Sequence, residues 1–475
     1  MVLFFHLKEK YSLKGFMFNE DTICAISTPT GMGGIGIVRV SGPDAVGLAA
    51  GIFVPAVSRV GDKLHSHQII YGNVVNPVNG EVVDEALLTF MRAPRTYTRE
   101  DVIEINCHGG PAAVRKVLEL VMAGGARLAE PGEFTKRAFL NGRIDLTQAE
   151  AVMDVIASKT EFSLSAAVAQ LKGGLKEKVE ALREGVAGLL ALTEVSIDFP
   201  EEEVDYVPLD ELRRKGEGLR SDIGRLLSTF DEGRVLREGL RVAIVGRPNV
   251  GKSSLLNLLA RAERAIVTEV PGTTRDTVEE IINIGGVPVK VIDTAGIRES
   301  HDIVEKEGIR RSEEALRSSD LALLVLDGSR PLHQEDIAII EKANKYKYIP
   351  VINKSDLPSA IEGEVLKALF MEEAVHVSAR NGDGLDGLTL RIRESALGGG
   401  REHAPEVTIN LRHRESLRKA EAALVRFDEG CGAGLSAEFL ALELRDALNA
   451  VGDIVGATTP EDILNRIFNE FCIGK

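Results

Sequence analysis

One segment limits what this chain can fold into more than any other. Residues 246–253 read Gly-Arg-Pro-Asn-Val-Gly-Lys-Ser and follow directly on the apolar run Val242–Val245. The pattern G-x-x-x-x-G-K-[ST] between a strand and a helix marks a phosphate-binding loop, because its glycines let backbone N–H groups surround a phosphate. Lys252 is predicted to reach the β- and γ-phosphate oxygens, and Ser253 is predicted to bind Mg²⁺. We therefore expect a parallel α/β domain that binds a nucleoside triphosphate.

A second motif stands at the end of another predicted strand. Residues 293–296 read Asp-Thr-Ala-Gly after the apolar run Val287–Ile292. Because the carboxyl ends of parallel strands meet at one edge of a sheet, we expect the Asp293 carboxylate near the metal and the Gly296 amide near the γ-phosphate. Residue 297 is isoleucine, whereas Ras-type enzymes use a glutamine there to orient the attacking water. That role must therefore come from elsewhere in the protein.

A third motif identifies the base. Residues 353–356 read Asn-Lys-Ser-Asp after the run Tyr348–Ile352. The Asp356 carboxylate can accept hydrogen bonds from guanine N1–H and the exocyclic amine, groups that adenine lacks. A backbone amide of residues 378–380 can contact guanine O6, so the predicted nucleotide is GTP. The residues of these motifs predicted to bind it are Asn249, Val250, Gly251, Lys252, Ser253, Ser254, Asp293, Thr294, Ala295, Gly296, Asn353, Lys354, Ser355, Asp356, Ser378, Ala379 and Arg380. Resemblance to known GTPases adds Thr268, Glu269, Val270, Pro271, Gly272, Thr273 and Thr274.

Three kinds of sequence follow one another along the chain. Residues 21–137 combine short β-type runs with one helical pattern, which is typical of an α+β domain. A helical region begins where Asp145 and Gln148 have the form of a capping box. Strands and helices then alternate over residues 241–395, and the chain is helical again beyond Gly398–Gly400. Helices on both sides of a compact α/β unit suggest that this unit is inserted into a helical domain.

The apolar periodicity places the individual elements. The second helical segment is expected to bury an apolar stripe of Leu417, Ala420, Leu424, Phe439, Leu442 and Leu444. The predicted strands are Gly36–Val40, Gln68–Tyr71, Ala86–Met91, Val102–Asn106, Val242–Val245, Val278–Ile284, Val287–Ile292, Leu321–Leu326, Tyr348–Ile352 and Ala374–Val377, with a helix near Ala112–Val121. The pair Gly285-Gly286 is predicted to form a hairpin turn, which needs positive φ.

The composition excludes several classes of protein. A formal net charge of −15 argues against a general nucleic-acid coat protein, whose affinity comes from neutralising phosphates. The four cysteines include no C-x-x-C pair, so we expect neither a disulfide framework nor a zinc clip, and a reducing cytoplasm fits better. No window approaches the apolar length that a membrane helix needs. Residues 1–16 are predicted to be an extension ahead of a second possible start at Met17.

Motifs outside the nucleotide-binding segments point to one family. The motifs that carry the resemblance are Asp21-Thr22-Ile23, Gly33–Gly42, Arg95–Val102, His108-Gly109-Gly110, Pro131–Thr135, Arg137–Asn141, Asp145–Glu150 and the terminal Phe471–Lys475. On these motifs the chain resembles the MnmE/TrmE family, GTPases that act in modifying the wobble uridine of certain tRNAs. The resemblance covers nearly everything from Met17 to Lys475. Residues Gly272–Asp276 then resemble the first switch of such GTPases, with Thr274 completing the Mg²⁺ shell.

The resemblance implies a multidomain protein with three kinds of domain. They are an α+β N-terminal domain that binds folate and dimerises, an α-helical domain, and an α/β P-loop GTPase domain inserted into it. The implied boundaries are an extension over 1–16, the N-terminal domain over 17–137, the helical domain over 138–235 and 402–475, and the GTPase domain over 238–398.

The resemblance also implies a reaction and its partners. Members of this family act with a flavin-dependent partner of the MnmG/GidA type, in a heterotetramer built on a homodimer. Together they install an aminomethyl-type group at C5 of the wobble uridine. The one-carbon unit is taken to come from 5-formyl- or 5,10-methylene-tetrahydrofolate. The expected cofactors are thus GTP as substrate, Mg²⁺, K⁺ and a folate, and the expected location is the cytoplasm.

Two groups of residues gain roles in GTP hydrolysis from the resemblance. Asn249, Thr268, Thr273 and the Val270 backbone correspond to ligands of a K⁺ ion beside the phosphates. Such an ion would substitute for an arginine finger by offsetting charge between the β- and γ-phosphates. Glu305 corresponds to the residue that activates water. We expect it to approach the γ-phosphate when the GTPase domains of a dimer meet.

The resemblance further implies a folate site. Arg39, Glu104, Arg143 and Lys475 match family contact positions. A carboxylate such as Glu104 can accept paired hydrogen bonds from the aminopyrimidine edge of a pterin, and the cations suit a glutamate tail. Without the resemblance, Glu104 would be taken for a solvent-facing strand residue and Arg143 for a charge at a helix entry. Cys472 is either a reactive thiol or a spare cysteine on the tail.

Two other functions remain open from the sequence. The same P-loop occurs in GTPase switches for ribosome assembly or RNA binding, which would carry an RNA-binding KH domain or a second GTPase domain. Neither a G-x-x-G clamp in a basic C-terminal domain nor a second P-loop is found in the sequence. A filament-forming GTPase would leave the folate-type N-terminal domain without a role. Folate binding would separate the first function from both of these.

Overall fold

The structure is a computed structural model that describes residues 21–56, 65–198, 207–262, 281–292, 313–370, 372–399, 405–457 and 459–474. Its contacts divide the chain into two compact units, and each is described by itself. The first unit comprises Met1–Met153, Lys176–Gly216 and Ala422–Lys475, and the second comprises Asp154–Leu175 and Glu217–Glu421. This division is not the one predicted from the sequence, and the predicted domain boundaries remain a prediction.

The described strands and helices are as follows. The strands are β1 (Ile23–Ile26), β2 (Ile35–Ser41), β3 (Phe53–Pro55), β4 (Gln68–Val75), β5 (Val82–Met91), β6 (Val102–His108), β7 (Arg127–Leu128), β8 (Leu240–Val245), β9 (Ile281–Ile284), β10 (Val287–Ile292), β11 (Leu321–Asp327), β12 (Tyr348–Asn353) and β13 (Val375–Val377). The helices are α1 (Ala45–Ile52), α2 (Pro111–Ala123), α3 (Glu133–Leu140), α4 (Leu146–Ala157), α5 (Glu161–Leu171), α6 (Gly174–Asp198), α7 (Leu209–Leu227), α8 (Phe230–Glu238), α9 (Lys252–Ala262), α10 (Gln334–Ala343), α11 (Gly363–Leu369), α12 (Leu385–Leu397), α13 (Leu411–Gly432), α14 (Ala437–Val455) and α15 (Glu461–Asn469).

The second unit is built on a six-stranded sheet in the order β13-β12-β11-β8-β10-β9. All pairs are parallel except β9–β10, which is an antiparallel hairpin. Alternate residues of β8 and β11 enter two separate cores, one with α9 and α12 and the other with α10 and α11. Strands buried on both faces in this way read as continuous apolar runs, which is why the sequence could locate them.

The strand predictions for this unit are largely confirmed. β10 has the predicted bounds, and β8, β11 and β12 extend the predicted runs by one or two residues at an end. The turn between β9 and β10 has Gly285 at φ 57° and Gly286 at φ 89°, as its glycines predicted. The first three residues of the predicted strand Val278–Ile284 lie outside the described residues.

The first unit contains a seven-stranded sheet in the order β3-β4-β5-β6-β2-β1-β7. Its strands pair antiparallel except β1 with β7. Helices α1 and α2 cover one face through a core that includes Val38, Leu88, Ile105 and Val117. This is the α+β arrangement that the sequence predicted, although β1, β3 and β7 were not foreseen because each is very short or lacks alternation.

The helical segments show one confirmation and one error. The capping box exists, since the Gln148 amide donates to Asp145 Oδ1 at 2.9 Å and the Asp145 amide donates to Gln148 Oε1 at 3.1 Å. Leu417, Ala420, Leu424 and Leu444 are buried. Phe439 and Leu442 are not, being 63% and 54% exposed, so the predicted apolar stripe was wrong at these two positions.

The helices also bear on the possibility of a membrane span. In the described parts of the chain, none combines the length and apolar character that crossing a bilayer demands.

Candidate functional site

The loop 246–253 has the backbone geometry that its glycines predicted. Gly246 lies at φ 150°, and a Cβ there would stand 2.3 Å from the Val325 carbonyl oxygen. Gly251 lies at φ 99°, and a Cβ there would stand 2.1 Å from Asn353 Nδ2. Asn249 is in the left-handed region at φ 64°. The loop therefore depends on glycine both for its conformation and for its close approach to the ends of neighbouring strands.

Lys252 starts α9 and folds back over the loop. Its Nζ donates to the carbonyl oxygens of Gly246 and Arg247, each at 2.7 Å. Burial lowers the pKa of Lys252 to about 8. Ser253 and Ser254 follow in the first turn of the helix, where the backbone amides and the helix dipole favour an anion. This part of the predicted GTP site is therefore assembled as a phosphate-binding loop requires.

Arg247, a variable position of the loop motif, is held by a residue that the sequence analysis missed. Its Nε donates to Asp336 Oδ1 at 2.8 Å. Asp336 is 3% exposed, and its other oxygen accepts from the His333 amide at 2.9 Å, at the start of α10. The Arg247 guanidinium is thus tied to the first turn of α10 rather than left to reach a phosphate.

Asn353 joins the phosphate loop to the base-recognition loops. It is 1% exposed at the end of β12. Its Nδ2 donates to the Val250 carbonyl at 2.8 Å, and its Oδ1 accepts from the Ala379 amide at 3.0 Å. One buried side chain therefore fixes the predicted segments 246–253, 353–356 and 378–380 together.

Asp356, the predicted guanine-binding carboxylate, is exposed and oriented by a neighbouring loop. Its Oδ1 accepts from Ser378 Oγ at 2.7 Å, and that hydroxyl accepts from the Asn381 amide at 3.1 Å. The Ser355 amide donates to the Val377 carbonyl at 3.2 Å. Asp356 and Ser378–Arg380 are thus brought side by side, as a guanine site with a carboxylate and a backbone amide needs.

The other predicted nucleotide and metal residues fall in segments 263–280 and 293–312. These positions, together with the predicted catalytic and tail residues, lie outside the described residues: Thr268, Glu269, Val270, Pro271, Gly272, Thr273, Thr274, Asp293, Thr294, Ala295, Gly296, Glu305 and Lys475.

A second polar site lies in the first unit, where the predicted folate residues meet. Arg39 on β2 stands opposite Glu104 on β6, and its Nε and Nη2 contact Glu104 Oε1 at 2.9 and 2.8 Å. Arg39 Nη1 also donates to the Gly474 carbonyl at 3.2 Å. Gly474 is the residue before the predicted contact Lys475. Two of the four predicted positions, Arg39 and Glu104, are therefore paired, and Arg39 also bonds to the residue before a third.

Tyr97 completes this site, and the sequence analysis did not single it out. The Arg143 guanidinium carbon lies 4.7 Å from the Tyr97 ring centroid, and that of Arg39 lies 6.0 Å away. Arg143 Nη1 also donates to the Tyr97 carbonyl at 3.0 Å. Burial raises the pKa of Tyr97, and its hydroxyl shares a 2.9 Å hydrogen bond with Thr135. We call Arg39, Tyr97, Glu104, Arg143 and Gly474 the Tyr97 cluster.

A buried charge network borders the loop that carries Tyr97. Arg137, 6% exposed, donates to Asp21 Oδ1 at 2.6 Å, to Glu133 Oε1 at 2.9 Å and to Glu100 Oε1 at 3.2 Å. Burial acts to raise the pKa of Glu133, but hydrogen bonds from Arg127 and Arg137 hold that pKa below its usual value. Because buried charges are stable only when paired, this network fixes the surroundings of the cluster.

The C-terminal segment docks by its backbone beside the cluster. Ile473 forms an antiparallel bridge with Pro131. Gly474 lies at φ 94°, and a Cβ there would stand 2.4 Å from the Ile26 carbonyl. Cys472, the candidate thiol, is exposed, whereas Cys24, Cys107 and Cys431 are buried.

Comparison with known proteins identifies relatives over nearly the whole chain. The family model described as "MnmE helical domain" matches residues 146–472, and that described as "GTP-binding protein TrmE N-terminus" matches residues 22–143. A "tRNA modification GTPase MnmE" of Geobacter sulfurreducens is 51% identical, over 97% of this chain and 100% of that protein. One of the same name from Carboxydothermus hydrogenoformans is 48% identical, over 96% and 100%.

A solved structure matches about a third of the chain. The G domain of the FeoB iron transporter of T. maritima is 26% identical, over 33% of this chain and 98% of that one, with a TM-score of 0.25. That score is too low to establish a common fold.

Proposed function

This chain belongs to the MnmE family of tRNA modification GTPases, and we propose that it uses GTP hydrolysis to drive modification at C5 of the wobble uridine of certain tRNAs. It is a GTP-hydrolysing enzyme that takes part in tRNA modification. The main structural support for the GTP site is the pair of hydrogen bonds by which Asn353 joins the phosphate loop to the base-recognition loops. The product we propose is uridine bearing an aminomethyl-type group at C5.

We propose that K⁺ assists the hydrolysis. Asn249, whose amide oxygen would be one ligand, is an exposed loop residue in the left-handed region, so its side chain is accessible to a bound ion. Thr268, Thr273 and the Val270 carbonyl would complete the set. A bound K⁺ would offset charge that develops between the β- and γ-phosphates. The engagement of Arg247 by Asp336 supports this role, because it leaves the loop without an arginine finger of its own.

The K⁺ role can be tested on the intact protein. We expect GTP hydrolysis to be markedly faster in K⁺ than in Na⁺, and Asn249→Ala to remove that difference. Equal rates in the two salts would contradict the assignment.

We propose Glu305 as the residue that activates water, because residue 297 cannot. Hydrolysis would then depend on Glu305 reaching the γ-phosphate when two GTPase domains pair. Glu305→Ala is expected to keep GTP binding and lose turnover. Full turnover in that variant would remove Glu305 from the mechanism.

We propose that the Tyr97 cluster, with Lys475, binds a tetrahydrofolate. The Arg39 bonds would hold the Glu104 carboxylate in place for the aminopyrimidine edge of the pterin, while Arg143 and Lys475 would bind the glutamate tail. A folate bound there, 5-formyl- or 5,10-methylene-tetrahydrofolate, would supply the one-carbon unit. The residues fit such a ligand because the cluster combines a carboxylate, an aromatic ring and guanidinium groups.

We propose that the chain acts as a homodimer in a heterotetramer with a flavoprotein of the MnmG/GidA type, in the cytoplasm. The flavoprotein would supply the redox chemistry through its flavin.

The function as a whole is tested by mass spectrometry of wobble nucleosides. Cells lacking the gene are expected to lose the modified uridine and to regain it with the unaltered gene. Genes carrying Lys252→Ala or Arg39→Gln should each fail to restore it, and Arg115→Gln, on the exposed side of α2, should restore it fully. Normal modification in the deletion strain would overturn the proposal.

A further inference from the structure

Asp327 is a buried carboxylate at the end of β11 to which the sequence analysis assigned no role. It is 6% exposed. Its Oδ2 accepts from Lys354 Nζ at 2.5 Å, and its Oδ1 accepts from the Ser329 hydroxyl at 2.6 Å and the Ser329 amide at 3.0 Å. Both oxygens are therefore used, and the strongest partner is a lysine of the base-recognition loop 353–356.

Lys354 has an unusual backbone conformation that needs support. It lies in the left-handed region at φ 66°, which costs a residue with a Cβ about 1 kcal/mol or more. The ion pair with Asp327 fixes the far end of its side chain. The backbone next to Lys354 is also held, because the amide of Gly328, the residue after Asp327, donates to the Asn353 carbonyl at 2.9 Å.

The segment that follows Asp327 also supports the far end of the loop. The Ala360 amide donates to the Gly328 carbonyl at 2.8 Å, closing residues 354–359 into a loop against the end of β11. Burial acts to raise the pKa of Asp327, but the bonds from Lys354 and Ser329 hold it below its usual value. The Asp327 carboxylate thus supplies the negative charge that holds the loop between β12 and residue 360 in place through Lys354.

We propose that Asp327 is a positioning residue for guanine nucleotide binding, acting through Lys354 to hold Asn353–Asp356 in the conformation that meets the base. Its role is distinct from that of Asn353, which reaches the phosphate loop directly. Loss of the Asp327 charge leaves Lys354 without its buried partner and lets the loop leave its left-handed conformation. The consequence falls on affinity for the nucleotide, because Asp327 itself is turned away towards Lys354 and Ser329.

The first test is Asp327→Asn in the full chain, with equilibrium binding of fluorescent mant-GDP. We expect affinity to fall about tenfold, with KM for GTP rising by a similar factor and kcat changing less than twofold. The matched control is Asp320→Asn at the other end of the same strand. Asp320 is likewise paired with cationic side chains, those of Arg234 and Arg241, but it precedes the start of the strand and so lies away from the base loop. It should leave mant-GDP affinity within twofold. Unchanged affinity in a folded Asp327→Asn protein would overturn the proposal.

The second test asks whether Asp327 acts through Lys354. In a Lys354→Met background, Asp327→Asn should change mant-GDP affinity less than twofold, because the partner is already gone. A further tenfold loss in that background would overturn the proposal. If Asp327→Asn does not fold, Ser329→Ala removes the hydroxyl bond to the carboxylate and keeps the backbone amide bond and the ion pair. It should weaken mant-GDP binding about threefold, and an unchanged affinity would count against the proposal equally.

Discussion

The nucleotide site and the Tyr97 cluster are built in opposite ways. In the nucleotide site, loops from the ends of β8, β11 and β12 meet through backbone groups, glycines and one buried asparagine. In the Tyr97 cluster, four side chains and the Gly474 carbonyl, from five separate parts of the chain, meet through an ion pair, hydrogen bonds and contacts between guanidinium groups and an aromatic ring. The nucleotide site therefore depends on which backbone conformations its residues can adopt, whereas the Tyr97 cluster depends on which side chains lie close enough to pair. Substitutions should therefore damage the two sites by different means.

The largest effect should come from adding a single methyl group to the nucleotide site. In Gly251→Ala the new Cβ would stand 2.1 Å from Asn353 Nδ2, at a φ of 99° that alanine rarely adopts. Strain and overlap together should weaken mant-GDP binding about 100-fold. The control is Gly363→Ala at the start of α11, where a Cβ would meet nothing within 4 Å. If Gly251→Ala binds mant-GDP as the control does, the nucleotide site is not built by its backbone.

A loss of charge should have the next largest effect, and it should fall on the Tyr97 cluster. Arg39→Gln removes the ion pair with Glu104 and the bond to the Gly474 carbonyl. We expect binding of 5-formyltetrahydrofolate, measured by calorimetry, to weaken about 30-fold, because bonds to charged groups are the strong ones.

The same variant also separates the two sites. Arg39→Gln should leave mant-GDP affinity unchanged. Arg115→Gln, at an exposed position of α2, should change the affinity for neither mant-GDP nor 5-formyltetrahydrofolate. Undiminished folate binding by a folded Arg39→Gln protein would mean that the cluster is not a folate site.

The difference in construction also explains what the sequence could predict. Loops that follow buried strands keep a fixed spacing, so the phosphate loop, Asn353 and Asp356 could be found by pattern. Asp327 ends a strand in the same way, and applying the strand-end argument to the run Leu321–Leu326 would have found it. Tyr97 could not be assigned a role, because no local pattern shows that Arg39 and Arg143 lie against its ring.

Apolar spacing had a similar limit in the helices. Phe439 and Leu442 are three residues apart, as on one face of a helix, and Leu444 follows soon after. Only Leu444 is buried, because the periodicity marks an apolar face without showing what covers it. The fold class could thus be predicted from local patterns, whereas the packing of particular side chains depended on distant parts of the chain.

A glycine in the Tyr97 cluster tests how far the contrast between the sites extends. Gly474 lies at φ 94° with a Cβ position 2.4 Å from the Ile26 carbonyl, so Gly474→Ala should displace the C-terminal segment. We expect 5-formyltetrahydrofolate binding to weaken about tenfold, less than for Gly251→Ala, because Gly474 contributes a single carbonyl to a cluster made mainly of side chains. Gly432→Ala, at an exposed site where a Cβ meets nothing, is the control. A 100-fold loss would show that backbone geometry dominates here too.

The smallest effect is a pH dependence that should belong to the nucleotide site. Burial lowers the pKa of Lys252 to about 8, so this lysine loses its proton as the pH rises through that value. An anionic diphosphate is bound by the protonated form, and binding should weaken as protons are lost. The protonated fraction of a group with a pKa of about 8 falls about fourfold between roughly pH 7 and 8.5. We expect mant-GDP affinity, measured in EDTA, to fall by the same factor. Lys252→Arg keeps its charge over this range and should show a flat profile. An equal fall in both proteins would mean that the ligand, rather than Lys252, is titrating.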